Sequence, residues 1–220
     1  MEDFTRNLVS FGDHPLVAHK ITHLCDINTV PKEVCEIINE LTMLMGFEAL
    51  KDLKTKNVTI KAPLTVMDSP VLAENFIIVP ILRAGLGMVD GLRTLAPNAK
   101  IGHIGLYRDQ DTLLPVTYYF KMPENALEDT CIVVDPALAT GGSVDATIKY
   151  LKEAGSKKIK VMCIFASDVG VKLLYEKHPD VKVYAAKYIP GGLNEMGYIV
   201  TAAGDIGDRI NGTVDYRDFK

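Results

Sequence analysis

Apolar positions follow two different rhythms along the chain. After the turn-like Gly12-Asp13-His14-Pro15, residues 16–24 mix apolar and polar positions. Pro31 then opens a stretch in which Val34, Ile37, Ile38, Leu41, Leu44 and Met45 share one face. That spacing, with proline in the first turn, predicts a long amphipathic helix. Residues 1–55 therefore read as a helical N-terminal arm.

Further along, continuous apolar runs replace the helical period. They are Val58–Ile60, Phe76–Pro80, Ile101–Leu106, Cys131–Val134, Val161–Phe165 and Val183–Ala185. β-Branched runs of this kind predict strands covered on both faces. Between them, Leu86–Ala96, Gly142–Ala154 and Val169–Lys177 predict helices. The alternation predicts an α/β fold, a doubly wound and mostly parallel sheet. Pro115–Tyr119 follows the polar Arg108-Asp109-Gln110-Asp111 and reads as an exposed β-arm over 107–122. With no repeat, linker or low-complexity tract, residues 1–220 form one expected domain.

Composition narrows the class. The chain has 220 residues, 48% hydrophobic and 24% charged, which is globular and excludes a disordered chain. Its net charge of −4 gives no reason to expect nucleic acid or an anionic membrane as a partner. No apolar run approaches the roughly 20 residues of a membrane span, and Met1-Glu2-Asp3-Phe4 lacks the pattern of a signal peptide. Cys25, Cys35, Cys131 and Cys163 show no C-x-x-C pattern, as expected for reduced thiols in the cytoplasm.

In a doubly wound sheet, ligands bind beyond the C-terminal strand ends. Three segments stand there. In Ile132–Ser143 a buried strand leads to Asp135, a tight loop of small residues and then a helix. Small residues let backbone N–H groups approach a phosphate, and the helix dipole adds to the attraction. Thr140 and Ser143 can donate hydroxyl hydrogen bonds to the same anion, and Asp135 can accept from ribose hydroxyls. The lysine of a Walker A loop is absent. An ordinary strand-to-helix connection capped by Thr or Ser is the plain alternative. In Val79–Met88, Arg83 follows a strand beside Gly85 and Gly87 and can grip phosphate oxygens in a bidentate way. Arg108 ends another strand and could share one diphosphate with Arg83. Near the C-terminus, Leu193–Arg209 is a loop rich in Gly and acids, where Asp205 and Asp208 could meet Mg²⁺ directly or through water. His19, His23 and Cys25 could form a metal cluster, but no fourth ligand is evident, so plain helix-surface or packing roles are expected.

Together these segments resemble the uracil phosphoribosyltransferases of the type I phosphoribosyltransferase family. Val134-Asp135-Pro136-Ala137-Leu138-Ala139-Thr140-Gly141-Gly142-Ser143 is similar to their phosphoribosyl-diphosphate (PRPP) loop. Most type I members have two adjacent acids there, whereas the uracil enzymes have Asp-Pro. The likeness extends through Pro80–Gly91, Gly102–Asp109, Asp13–Leu16, Leu193–Glu195 and Gly204–Arg209, covering nearly the whole chain. It implies that uracil and PRPP give UMP and diphosphate with Mg²⁺. It also implies site roles. Arg83 and Arg108 would bind diphosphate, and Asp135 the ribose hydroxyls. Pro136 and Ala137 would line the PRPP site, and Leu138, Ala139, Thr140, Gly141, Gly142 and Ser143 would wrap the 5′-phosphate. Within a base-recognition loop over 186–212, Ile199 and Gly204 would read uracil through backbone groups with Ile206 adjoining. Asp205 would reach the Mg²⁺ complex of PRPP, meeting the metal through water. A homodimer or larger homo-oligomer is implied as well.

The chain departs from the family pattern in places. Thr201-Ala202-Ala203 replaces the usual Pro-Gly-Leu, Ala137 a Met, Ile206 an Ala, and Pro190 an Asp. Loss of Pro and Gly changes the backbone options of the base loop. An altered base preference, a purine-type transferase on the same fold, or a nucleotide-sensing RNA-binding regulator are the competing expectations. The regulator should carry a basic face, and only Lys157-Lys158-Ile159-Lys160 is basic here.

Overall fold

A computed structural model describes residues 3–108, 115–124 and 128–214. The chain opens with β1 (Leu8–Ser10), α1 (Pro15–Cys25) and α2 (Pro31–Ala49), then the strand pair β2 (Thr55–Lys61) and β3 (Val66–Leu72). β4 (Phe76–Leu82), a 3₁₀ turn (Ala84–Met88), α3 (Val89–Leu95), β5 (Lys100–Ile101), β6 (His103–Arg108) and β7 (Pro115–Lys121) follow. The last part comprises β8 (Thr130–Val134), β9 (Ala137–Leu138), α4 (Gly142–Glu153), β10 (Ile159–Ser167), α5 (Asp168–Lys177), β11 (Lys182–Ile189) and α6 (Ile206–Asn211).

The main sheet runs β1-β11-β10-β8-β4-β6-β7, with β5 beside β4 and β9 beside β10. Its pairings are parallel except for antiparallel β6 and β7. The expected doubly wound α/β fold is present. Alternate residues of each strand leave on opposite faces. Ile78, Ile132, Val134 and Met162 pack with Leu24, Ile38, Leu41, Met45 and Leu92 of the first three helices. Ile77, Val79, Cys131, Val133 and Val161 pack with Val144, Ile148, Leu151, Val171 and Leu174 of α4 and α5. Two covered faces explain the unbroken apolar runs, since neither face can be polar. Each fully buried Leu or Ile contributes about 1.5–3 kcal/mol of transfer free energy.

Several elements differ from the sequence reading. Val58–Ile60 belongs to a separate two-stranded antiparallel pair with β3, largely exposed, rather than to the parallel sheet. Ile101–Leu106 is broken at Gly102, whose N–H donates to Ile78 O at 2.9 Å. Leu86–Ala96 begins as a 3₁₀ turn and becomes α-helical only at Val89, because Gly85 and Gly87 favour the helix poorly. Residues 16–24 form α1, started by Pro15 and by His14 Nδ1, which accepts from Leu16 N–H at 3.2 Å. Its core residues Val17, Ile21 and Leu24 are too widely mixed with polar ones to stand out. The tip of the expected β-arm, 109–114, lies outside the described residues.

Candidate active site

The first wall of the site is the connection from β8 to α4. Asp135 N–H still donates to Met162 O at 3.2 Å, so its Cα is fixed by the sheet. Pro136 has no N–H, and its carbonyl accepts from both Ile164 N–H (3.0 Å) and Phe165 N–H (2.9 Å). Ala137–Leu138 then rejoin β10 as β9. Leu138 is fully buried and anchors the loop. Gly141 ends the loop at φ +81°, where a side chain would be strained, and a Cβ there would meet Leu173 Cδ2 at 2.9 Å. Gly141 stands at the N-cap of α4 and brings no side chain of its own to the first turn. The helix therefore points its first N–H groups toward the loop, as an anion site requires.

Ser167 is a contributor that the sequence reading missed. Its hydroxyl donates to Ala139 O at 2.6 Å and accepts from Gly170 N–H at 3.0 Å. One side chain thus caps α5 and ties it to the loop before α4. A Ser closing an apolar strand just before a helix was the available signal.

The second wall is the loop after β4. Gly85 lies so close to the end of β8 that a Cβ would sit 2.4 Å from Val134 O. Only glycine permits that approach, which brings Ala84 beside Asp135. Arg83 leaves the tip of β4 with 62% of its side chain exposed, its Nη2 3.7 Å from Asp208 Oδ1. Exposed pairs of this kind are weak, so an arriving anion can recruit the guanidinium. Arg108 ends β6 next to Pro115; its side chain lies outside the described residues, as does Asp109.

The third wall is the loop from Leu193 to α6. Asn194 shapes it: Oδ1 accepts from Met196 N–H (3.1 Å) and Tyr198 N–H (2.8 Å). Ile199 is buried, and its carbonyl accepts from Ala202 N–H at 3.2 Å. Asp205 caps α6 through Oδ1, which accepts from Asp208 N–H at 3.0 Å, while Oδ2 accepts from Tyr198 Oη–H at 3.2 Å. Behind the loop, the buried Arg209 donates from Nη1 to Leu24 O and to Ala203 O (3.4 Å). Its Nη2 reaches Asp26 O (2.7 Å) and Thr29 O (3.4 Å). One guanidinium thus joins the loop before α6 to the turn between α1 and α2.

These walls enclose a cleft of about 400 Å³. Asp135, Pro136, Ala137, Ala139, Gly204, Asp205 and Ile206 line it together. So do Met196 and Tyr198, which the sequence reading did not single out. Leu138 is buried beneath, Thr140 to Ser143 form the far end of the same loop, and Ile199 lies behind the lining. Burial pushes the Asp135 carboxyl up to about 7, with the Asp205 charge acting in the same direction and the Ala137 N–H opposing. Burial likewise keeps Cys163 in its thiol form, reinforced by Asp135. Among the described residues no group of three or more His, Cys, Asp or Glu side chains could hold a metal ion. His19 and His23 make only an edge-on ring contact, with centroids 4.6 Å apart.

A family model for uracil phosphoribosyltransferase matches residues 11–213. A uracil phosphoribosyltransferase of Brevibacillus brevis is 50% identical over 202 residues, covering 91% of this chain and 96% of that one. One of Oceanobacillus iheyensis is 50% identical with the same coverage. The solved structure of the AQ2163 protein from Aquifex aeolicus superposes with a TM-score of 0.89 at 31% identity, covering 95% of this chain and all of that one.

Proposed function

Because this chain belongs to the uracil phosphoribosyltransferase family, we propose how its own residues carry out the family's reaction. The enzyme serves pyrimidine salvage: uracil and PRPP give UMP and diphosphate. The observation that carries the assignment of residues is the shared cleft. Asp135 with its phosphate loop forms one wall, and Gly204–Gly207 forms the facing one. A phosphoribosyl donor and a flat base can therefore meet between them.

The 5′-phosphate sits at the N-terminus of α4, held by loop N–H groups and by the Thr140 and Ser143 hydroxyls. Asp135 accepts from the ribose hydroxyls. Arg83, joined by Arg108, takes the diphosphate. As the bond from C1′ to the diphosphate oxygen breaks, positive charge grows on the ribose and negative charge on the leaving group. The guanidiniums stabilise the departing charge. Uracil N1 attacks C1′ from the opposite face, and fixing both partners in line removes much of the entropic barrier. Backbone groups of Ile199, Gly204 and Ile206 match the alternating O–N–O edge of uracil. Cytosine leaves such groups unpaired and is rejected.

Mg²⁺ fits this site as part of the incoming substrate. Asp205 uses both carboxylate oxygens within the protein, which suits a cation carried on PRPP and met through water. When bound, the ion neutralises charge on the diphosphate.

The enzyme works as a homodimer or larger assembly. In support, the β2–β3 pair presents Leu64 (99% exposed), Val66 (65%) and Leu72 (52%) on one projection, and Phe47 of α2 is 78% exposed. Large exposed apolar patches mark association surfaces. Among the described residues no helix is long and apolar enough to cross a membrane. With four free cysteines, a reducing cytoplasm is the fitting compartment.

The direct test incubates the protein with PRPP, Mg²⁺ and each of uracil, 5-fluorouracil, cytosine, xanthine and hypoxanthine. UMP and diphosphate from uracil are expected, with at least a hundredfold loss in Asp135→Asn. Faster turnover of another base would overturn the uracil assignment and implicate Thr201-Ala202-Ala203.

A further inference from the structure

A second concavity of about 360 Å³ opens at the opposite edge of the sheet, where β8, β10 and β11 begin. It is lined from separate segments: the end of α2 and the start of β2, the approach to β4, and the loops before β10 and β11. The lysine-rich turn before β10 falls here, well away from the strand ends that carry Asp135.

The charges around it do not balance. Three carboxylates line it, and each already has a lysine. Asp52 is held by Lys160, Glu74 by Lys158 at 2.8 Å, and Asp180 by Lys152 at 2.7 Å from outside the lining. Lys160 is buried and also donates to Ala49 O at 2.6 Å, so it is fixed in place. Three more lysines line the concavity, Lys54, Lys157 and Lys182; Lys54 acts on Glu74 and Lys182 on Asp52 only through longer-range attraction, and each of those carboxylates already holds a closer lysine. A protein of net charge −4 thus gathers an excess of ammonium groups around one hollow. Clustered like charges repel one another, and an anion of opposite charge relieves that repulsion.

We propose that this hollow is a binding site for an oligophosphate anion carrying about three negative charges, separate from the catalytic cleft. Lys54, Lys157 and Lys182 supply the unmatched charge, and the ion-paired Lys158 and Lys160 fix the floor. Ammonium groups on flexible stems suit a phosphate chain, which they meet as point charges. The volume lies at the lower end of the range for small-ligand sites.

The test is calorimetric titration of the intact protein with inorganic triphosphate while UMP saturates the catalytic cleft. One binding event is expected, weakening with added salt. Lys157→Gln/Lys182→Gln should bind at least tenfold more weakly while forming UMP at the wild-type rate. Arg83→Gln should bind triphosphate as the wild type does. A nucleoside triphosphate that binds as tightly as the inorganic chain supports recognition of phosphates alone. Equal affinity in the lysine double variant, or loss only in Arg83→Gln, overturns the proposal. So does a short single-stranded RNA that binds this face when triphosphate does not.

Discussion

Asp135 stands at the end of a fully buried strand, in a setting that opposes its own charge. Burial raises its carboxyl from an ordinary 3.8 to about 7. Between those values the folded protein keeps a proton that the unfolded chain has lost. This group therefore makes stability fall as pH rises from about 4 to about 7, after which its effect is level. Accepting from ribose hydroxyls requires the ionised form, so kcat/KM for PRPP should rise with pH up to about 7 and then flatten. A profile that does not change across pH 6–8 would contradict this. Asp135→Asn removes both effects. At pH 8 it should raise Tm by about 2–4 °C, equivalent to about 1 kcal/mol, while UMP formation collapses. Calorimetry beside a product assay checks the pair. Asp135 was legible in the sequence because strand, acid and small-residue loop are contiguous. Only the local cap of Ser167 was legible; its bond to Ala139, and those of Arg209 to Leu24 and Asp26, were not, because these partners lie far off in sequence.

Those two residues act by holding elements together. Ser167→Ala leaves Ala139 O and the first turn of α5 each without a donor or acceptor. It should cost about 1–2 kcal/mol of stability and raise KM for PRPP more than KM for uracil. Arg209 holds the loop that we propose reads uracil. Arg209→Met strands several buried carbonyls, and a stability loss of about 2–4 kcal/mol is expected. KM for uracil should increase at least tenfold with PRPP affinity little changed, and Arg209→Lys should recover part of the loss. Equal changes in both KM values would show that Arg209 only supports the fold. Element type was readable where one period dominates, as in α2 and β4. It failed at Val58–Ile60, where a short apolar run fits an exposed pair as well as a buried strand. It was blurred at Leu86–Ala96, where Gly85 serves the approach to β8 rather than the helix.

Assembly is the property of the whole molecule most open to test. The projecting β2–β3 pair carries Leu64 fully exposed and Val66 about two-thirds exposed. Leu64→Glu/Val66→Glu should shift the sedimentation coefficient toward the monomer. Neither side chain packs in the core, so the folded protomer should persist. An unchanged coefficient would place the assembly surface elsewhere. Parallel pairing also explains why the loops around the cleft gather at one edge: the strands all deliver their C-terminal ends there.

What the sequence determined alone is local or repeated. Unbroken β-branched runs specify a sheet buried on both sides, and the Asp135–Ser143 segment specifies a tight small-residue loop between a buried strand and a helix. Each depends on neighbours in the chain. The tertiary structure decided what depends on distant partners. It set the order of the strands, and it placed Tyr198 against Asp205. It also bound the loop before α6 to α1 through Arg209 and gathered lysines from separate segments around one hollow. Such contacts form only once chain closure brings remote residues together, and hydrophobic periodicity carries no record of which side chains will then meet.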